Sequence, residues 1–461
     1  MPALEELRGR RVGILGFAKS GEAVGRALRQ AGAEPVVWDD RPEACERARA
    51  LGLAIGSQAD LRDVALLVVS PGVPLDFPIP HPLVAEARAT GIPICGDVQL
   101  FADSRPDLQL VGVTGSNGKS TTTALLHHLL VQAGLPAVAG GNIGTPVFDL
   151  DPPTGAIAVL ELSSFQLDLC DHLRTAIGIW LNLSPDHLDR HGSLARYIAA
   201  KRRLFEQQDG RGVAVVATDD GPSAALAREL AARGRSVVRV SGMHAQDVAV
   251  GMVEGRLVDR LGASERQYPL EGRIRLRGAH NRQNIAAAFA AARLLGATPE
   301  SLLAGLATFT GLPHRMEEVG RIAGVMFVND SKATNPDAAA RSLSAFRSIY
   351  WIAGGRPKPG GFESLKPVVG GVRHGFFIGE AAMELARTFA SDFPVSCCDS
   401  LAEAVDRAFC AARAGGEPEP VVLLAPACAS FDQFRNFEHR GECFRTLVGQ
   451  LLRPRAEGRA P

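Results

Sequence analysis

No sign of charge dominates this chain: 50 basic and 50 acidic side chains cancel to a formal net charge of zero. A general nucleic-acid or membrane-surface binder needs a positive excess, because counterion release and attraction to anionic lipid both depend on it, so neither partner is expected. The sequence also lacks any run of about eighteen or more apolar residues, the length that spans a bilayer. Its first residues, Met1-Pro2-Ala3-Leu4-Glu5-Glu6, lack the basic stretch and apolar stretch of a secretory leader. The eight cysteines contain no CxxC pair, and reduced thiols in a cytoplasmic protein are the expectation. A glycine is missing too. At 11–16 a strand is expected, followed by the turn Phe17-Ala18-Lys19-Ser20-Gly21, a helix over 22–30 and a second strand over 34–38 that ends at Asp39-Asp40-Arg41. This is the outline of a dinucleotide-binding unit, but Ala18 stands where GxGxxG needs its second glycine. A Cβ there obstructs the approach of a pyrophosphate to the backbone, so an NAD site is not expected.

What is present is a soluble globular composition, 46% hydrophobic and 22% charged, over 461 residues. That is too long for one ordinary core, and two or three domains are expected. The most informative stretch is Val113-Thr114-Gly115-Ser116-Asn117-Gly118-Lys119-Ser120-Thr121. An apolar strand over 108–113 precedes it and helical spacing over 121–133 follows it. Strand, glycine turn and helix N-terminus together make a phosphate cradle. Successive N–H groups turn inward, Lys119 reaches terminal phosphates, and the Ser120 hydroxyl suits Mg²⁺. The pattern departs from the strict Walker form, since Val113 occupies the place of its first glycine.

Polar residues collect after other apolar strands. The strand at 156–160 runs into Glu161-Leu162-Ser163-Ser164, which puts a carboxylate where a Mg²⁺ ligand beside a phosphate loop would sit. The strand at 177–181 is followed by a loop containing Asp186, His187, Asp189 and His191. Lys201 lies in a helical stretch that, taken alone, reads as a basic solvated face. Asn281 and Asn284 open an alanine-rich helix over 285–295 and share one face, suited to a base or ribose; Asn281 serves equally as an N-cap. From 312 onward, strands at 325–328, 348–353, 372–378 and 421–424 alternate with helices at 379–390 and 401–412, as in a Rossmann-like parallel sheet.

Together these pieces resemble the bacterial Mur ligases, and most closely their glutamate-adding members. The resemblance covers essentially the whole chain: TGSNGKST, GGNIG, ELSSFQL, DHLDRH, AAKRRLF, GAHNRQN, GLPHRME, NDSKATN, GGxxK and PACASFDQFRNFEHRG. It implies an α/β protein of three domains: a Rossmann-like uridine-nucleotide domain at 1–97, a central P-loop ATPase with a mainly parallel sheet at 98–311, and a Rossmann-like amino-acid domain at 312–461. The implied reaction is ATP-dependent ligation of glutamate to UDP-N-acetylmuramoyl-L-alanine by a cytoplasmic monomer, with two Mg²⁺ ions.

Residue by residue, the resemblance implies UDP-sugar contacts at Ser20, Asp40, Arg41, Ser70 and Asn142. It implies ATP contacts at Gly115, Ser116, Asn117, Gly118, Lys119, Ser120, Thr121, Asn281, Asn284, Arg315 and Asp330. Ser120, Glu161, His187 and an N-carboxylated Lys201 would hold the metal ions, with Lys119, Glu161, His187 and Lys201 catalytic. Lys332, Thr334, Lys358, Ser430, Phe431 and Phe437 would form the glutamate pocket. The alternatives are a folylpolyglutamate synthetase, which shares the phosphate loop but takes a pterin, and a non-catalytic nucleotide-binding protein of the same fold. D- and L-glutamate offer the same charges, and the residues alone do not choose between them.

Overall fold

A computed structural model describes residues 3–142, 144–206, 212–270, 276, 279–358 and 360–452. Ile143 of the GGNIG motif, residues 271–275 of the glycine- and charge-containing stretch, and Arg277 and Gly278 before HNRQN lie outside the described residues. The chain forms two compact units, Met1–Phe309 and Thr310–Pro461.

The first unit contains two sheets. The smaller has the strand order Ala54–Ile55, Glu34–Trp38, Arg11–Leu15, Leu67–Val69, Ile94–Cys95, all parallel. Gly21 sits so near the end of the first strand that an added Cβ would lie 2.1 Å from Gly16 O. The larger sheet has the order Arg266–Pro269, Arg256–Asp259, Val250–Val253, Ser236–Ser241, Val213–Ala217, Ile177–Trp180, Gln109–Thr114, Ile157–Glu161, Ala137–Gly141. Its first two pairings are antiparallel and the remainder parallel.

Alternation along the parallel strands sorts side chains to two cores, as a sheet covered on both faces requires. Val111, Val113, Ile157, Val159, Ile177, Ile179, Val215 and Ala217 join one. Leu110, Ala158, Leu160, Trp180, Ala214 and Val216 join the other. On the first face lie the helices Lys119–Gln132 and Ala279–Leu294; Ile285 to Ala292 of the latter are wholly buried, and their small side chains let it pack closely. On the second face, Gly112 makes room for the helix Leu194–Glu206: an added Cβ would stand 2.5 Å from Leu204 Cδ1. The strand Gln109–Thr114 lies between the strands that follow it on opposite sides, so chain order reverses there. A ligand crevice is expected at such a point, beyond the strands' carboxyl ends.

The second unit has one sheet, ordered Glu317–Ile322, Val325–Asn329, Val421–Leu424, Ile349–Gly354, Val372–Ile378, Val395–Cys397, parallel apart from the first strand. Two expected elements differ from what forms. The helix expected over 379–390 is Ala382–Phe389, because Gly379 turns the chain at φ +69° against Asp432. The alanine-rich helix begins at Ala279, six residues before the expected start at 285. Asn281 therefore lies inside the helix, and the N-cap reading of that residue is overturned.

Candidate active site

The phosphate loop takes its shape from two glycines and one asparagine. Gly115 has φ +150° and Gly118 φ +84°, both unfavourable for a residue with a Cβ. Gly118 also faces Asn284 Oδ1, which an added Cβ would approach to 2.3 Å. Asn182, in the loop after the neighbouring strand, accepts from Asn117 N through Oδ1 at 2.9 Å, and its Nδ2 donates to Asn117 O at 3.1 Å. Its backbone oxygen accepts from Ser116 N at 2.9 Å. These two loop amides point into the protein, and the N-terminal turn of Lys119–Gln132, which includes Ser120 and Thr121, is the part suited to an anion. Lys119 Nζ folds back to donate to Gly115 O at 2.8 Å and Ser116 O at 3.0 Å.

Lys201 shares this corner. Its Nζ donates to Gly115 O at 3.0 Å, touches Thr114 Oγ1 at 3.4 Å, and lies 4.7 Å from the centre of the Tyr197 ring. Lys201 is only 1% exposed. Burial, seconded by the neighbouring Lys119 charge, pulls its pKa down to about 7, so near neutrality much of the amine is uncharged. Tyr197 is buried with its hydroxyl 3.0 Å from Ser116 Oγ, and burial pushes its pKa up to about 12. Sequence reasoning left out both Tyr197 and Asn182, because neither belongs to a spacing with a chemical meaning of its own.

Glu161 ends its strand fully buried. Its Oε1 accepts from Asn142 Nδ2 at 2.7 Å, while Oε2 has no hydrogen-bond partner. Gly141 permits this approach, with φ +101° and space for a Cβ only 2.5 Å from Glu161 O. An unpaired buried carboxylate oxygen is costly, and a cation resolves it, so this part of the site fits Mg²⁺. Among the described residues no three His, Cys, Asp or Glu side chains gather into a metal cage. Protein donors near Glu161 would thus be few, with phosphate and water oxygens completing the shell, as Mg²⁺ ordinarily arranges.

His187 adopts φ +52° at the start of the short helix Leu188–His191. Its exposed ring packs edge-on to Phe165 at 4.9 Å, with Nε2 3.5 Å from Asp186 Oδ2. His191 is instead buried against Ser164 Oγ at 2.9 Å, and burial lowers its pKa. Asn281 and Asn284 pair at 3.0 Å, and Asn284 Oδ1 is buried without a partner beside Gly118.

At the smaller sheet, Ser70 Oγ donates to Gly16 O at 2.7 Å, and Ser20 bonds the buried Asp97 carboxyl, whose pKa burial raises to about 6. Asp39 closes the turn, accepting from Phe17 N at 2.6 Å and from Arg41 Nε and Nη2 at 2.9 Å; Arg41 holds its pKa down to about 2. Asp40 remains exposed, 3.4 Å from His81 Nε2. Arg190 bridges this region to the histidine loop, donating from Nη2 to Val73 O at 2.5 Å.

In the second unit, Arg315 lies between two residues of positive φ, His314 at +60° and Met316 at +47°, a strain characteristic of functional loops. Asp330 is buried, accepting from Met316 N at 3.1 Å and from the Ser342 hydroxyl; burial raises its pKa. Lys332 Nζ lies 5.0 Å from the centre of the Phe437 ring. Thr334 N donates to Lys332 O at 2.8 Å, and Ser430 O accepts from Phe434 N at 2.8 Å. Lys358 and Phe431 are exposed. Arg440, which sequence reasoning missed, is wholly buried and donates to Ser331 Oγ and O, Gly354 O and Cys428 O at 3.0 to 3.3 Å. One guanidinium thereby gathers the three loops that carry the expected glutamate residues.

Two family patterns match the chain: the Mur ligase middle domain over residues 113–292, and the Mur ligase glutamate ligase domain over 314–428. The UDP-N-acetylmuramoylalanine--D-glutamate ligase of Rhizobium etli is 47% identical over 455 residues, 96% of each chain. The protein of the same name from Paramagnetospirillum magneticum is 45% identical, covering 96% of this chain and 97% of its own. Among solved structures, MurF from Acinetobacter baumannii aligns with TM-score 0.58 at 17% identity, over 96% of this chain and 93% of its own. UDP-N-acetylmuramate-alanine ligase from Thermotoga maritima aligns with TM-score 0.57 at 19% identity, over 95% and 99%.

Proposed function

The chain belongs to the Mur ligase family, and on that premise we propose that it is an ATP-dependent ligase joining D-glutamate to UDP-N-acetylmuramoyl-L-alanine in peptidoglycan precursor synthesis. The observation that carries the reading is the corner where Lys119, Lys201 and the phosphate loop share Gly115 O, next to the strand that ends at the half-satisfied Glu161. A carboxylate is a poor electrophile because its charge repels amines and its leaving group would be oxide. Transfer of the ATP γ-phosphoryl group to the alanyl carboxylate removes both obstacles. The glutamate amine then attacks the acyl phosphate, a proton leaves the nitrogen, and the tetrahedral intermediate expels phosphate.

The chain's residues supply position and charge for this. Lys119 exchanges its loop carbonyls for phosphate oxygens, and the N-terminal turn of its helix holds the same anion. The uncharged Lys201 amine adds to CO₂ with loss of a proton, giving a carbamate whose oxygens can bind a cation. Ser120, Glu161, His187 and the Lys201 carbamate would hold two Mg²⁺ ions, which would supply positive charge to the transferring group. Asn281, Asn284, Arg315 and Asp330 contact the nucleotide. Ser20, Asp40, Arg41, Ser70 and Asn142 contact the UDP-sugar, and Lys332, Thr334, Lys358, Ser430, Phe431 and Phe437 the glutamate. We place the reaction in the cytoplasm, where ATP and nucleotide-linked sugars are made.

The test is ADP release by purified protein with ATP, Mg²⁺ and UDP-N-acetylmuramoyl-L-alanine, comparing the glutamate enantiomers. Release with the D form, and little with the L form, is expected. Equal release with both, or release when the sugar substrate is left out, contradicts the reading.

A further inference from the structure

Between the two asparagines assigned to the nucleotide, Gln283 joins a chain of polar side chains that leads to the phosphate loop. Its Nε2 donates to Asp219 Oδ2 at 2.7 Å, and its Oε1 accepts from Asn182 Nδ2 at 2.7 Å. Asn182 in turn grips both polar groups of the Asn117 peptide. At the far end, Asp219 is anchored by Ser241 Oγ at 2.5 Å and by Gly242 N at 3.0 Å. Gly242 packs so tightly on the helix that an added Cβ would stand 2.3 Å from Gln283 N. The chain has a fixed direction. A carboxylate only accepts, so Gln283 must turn its amide nitrogen to Asp219 and its oxygen to Asn182; that leaves Asn182 one orientation, with its oxygen toward Asn117 N–H.

We propose that Gln283 is a positioning residue for the phosphate loop, setting the Asn117 peptide through Asn182 and tying the nucleotide-binding helix Ala279–Leu294 to the loop that holds the phosphates. This rests on the reading that ATP occupies the loop. The relay keeps the Asn117 amide turned inward, beside the Ser116 amide that the Asn182 backbone oxygen holds. Truncating its middle removes one donor from Asp219 and one acceptor from Asn182, both half-buried, and leaves the Asn182 amide held by the Asn117 peptide alone.

The test is steady-state kinetics of Gln283→Ala and Asn182→Ala, singly and together, with equilibrium binding of a non-hydrolysable ATP analogue to each. Gln283→Ala should raise the KM for ATP and the analogue Kd about tenfold, leaving the KM values for glutamate and UDP-sugar within about twofold. The double variant should be little worse than Asn182→Ala, as expected for two members of one chain. Unchanged analogue affinity in Gln283→Ala, when the wild type binds it and Lys119→Ala does not, overturns the relay and leaves the ATP reading intact. A parallel rise in all three KM values with a lowered Tm overturns it as well, marking a merely structural role. Failure of the wild type to bind the analogue removes the ATP reading and the relay with it.

Discussion

At the scale of single residues, the chemistry depends on burial more than on residue type. Lys201 is a lysine among basic neighbours, yet inside the fold much of its amine is uncharged near neutral pH because water is excluded and Lys119 is near. Lys201→Ala should be nearly inactive and partly rescued by a small carboxylic acid that replaces the carbamate oxygens. Absence of rescue at any concentration in a ligation assay counts against the carbamate. Asp97 offers a stability test. Burial raises its pKa to about 6 and leaves Oδ1 unpartnered. A raised carboxyl pKa contributes stability below the unfolded value, and that contribution is lost as pH rises through the folded value. Asp97→Asn should therefore match the wild type near pH 4 and exceed it by up to roughly 3 kcal/mol above about pH 7, read from denaturant curves. A gap that does not change with pH contradicts the assignment. Neither environment was legible in the residues themselves, because Lys201 meets Thr114 and Gly115, and Asp97 meets Ser20, only once distant segments pack together.

At the scale of elements, the proposed site residues collect where parallel strands end. Much of this was readable: the apolar runs before Gly115, Glu161 and Asn182 located three strand ends, and the glycine pattern predicted a cradle. Side-chain wedges that shape the loops escaped, since Asn182 and Arg440 act across long sequence distances and carry no local pattern. Asn281 was ambiguous because the helix start was itself uncertain. Gly118→Ala should place a Cβ at positive φ against Asn284, costing about 1–3 kcal/mol in strain and most of the nucleotide affinity; calorimetric titration with an ATP analogue checks it. Arg440→Ala leaves a serine hydroxyl and three carbonyls without their buried donor. It should destabilise the second unit by roughly 3 kcal/mol or more, read from denaturant curves, and raise the KM for glutamate.

At the scale of the molecule, the chain builds three α/β sheets, which the alternation of strands and helices announced, and the proposal gives each its own recognition task. The defective dinucleotide fingerprint was equally informative. Gly21 keeps the strand–helix contact that a Rossmann-like fold requires, whereas the place where a pyrophosphate would press on the backbone holds Ala18. The central claim is that the alanyl carboxylate is phosphorylated before the amine attacks. The most direct test labels that carboxylate with ¹⁸O, runs the complete reaction and analyses the released phosphate by mass spectrometry. The account predicts one ¹⁸O carried from the labelled carboxylate into phosphate per bond formed; phosphate free of label while the amide forms would contradict it.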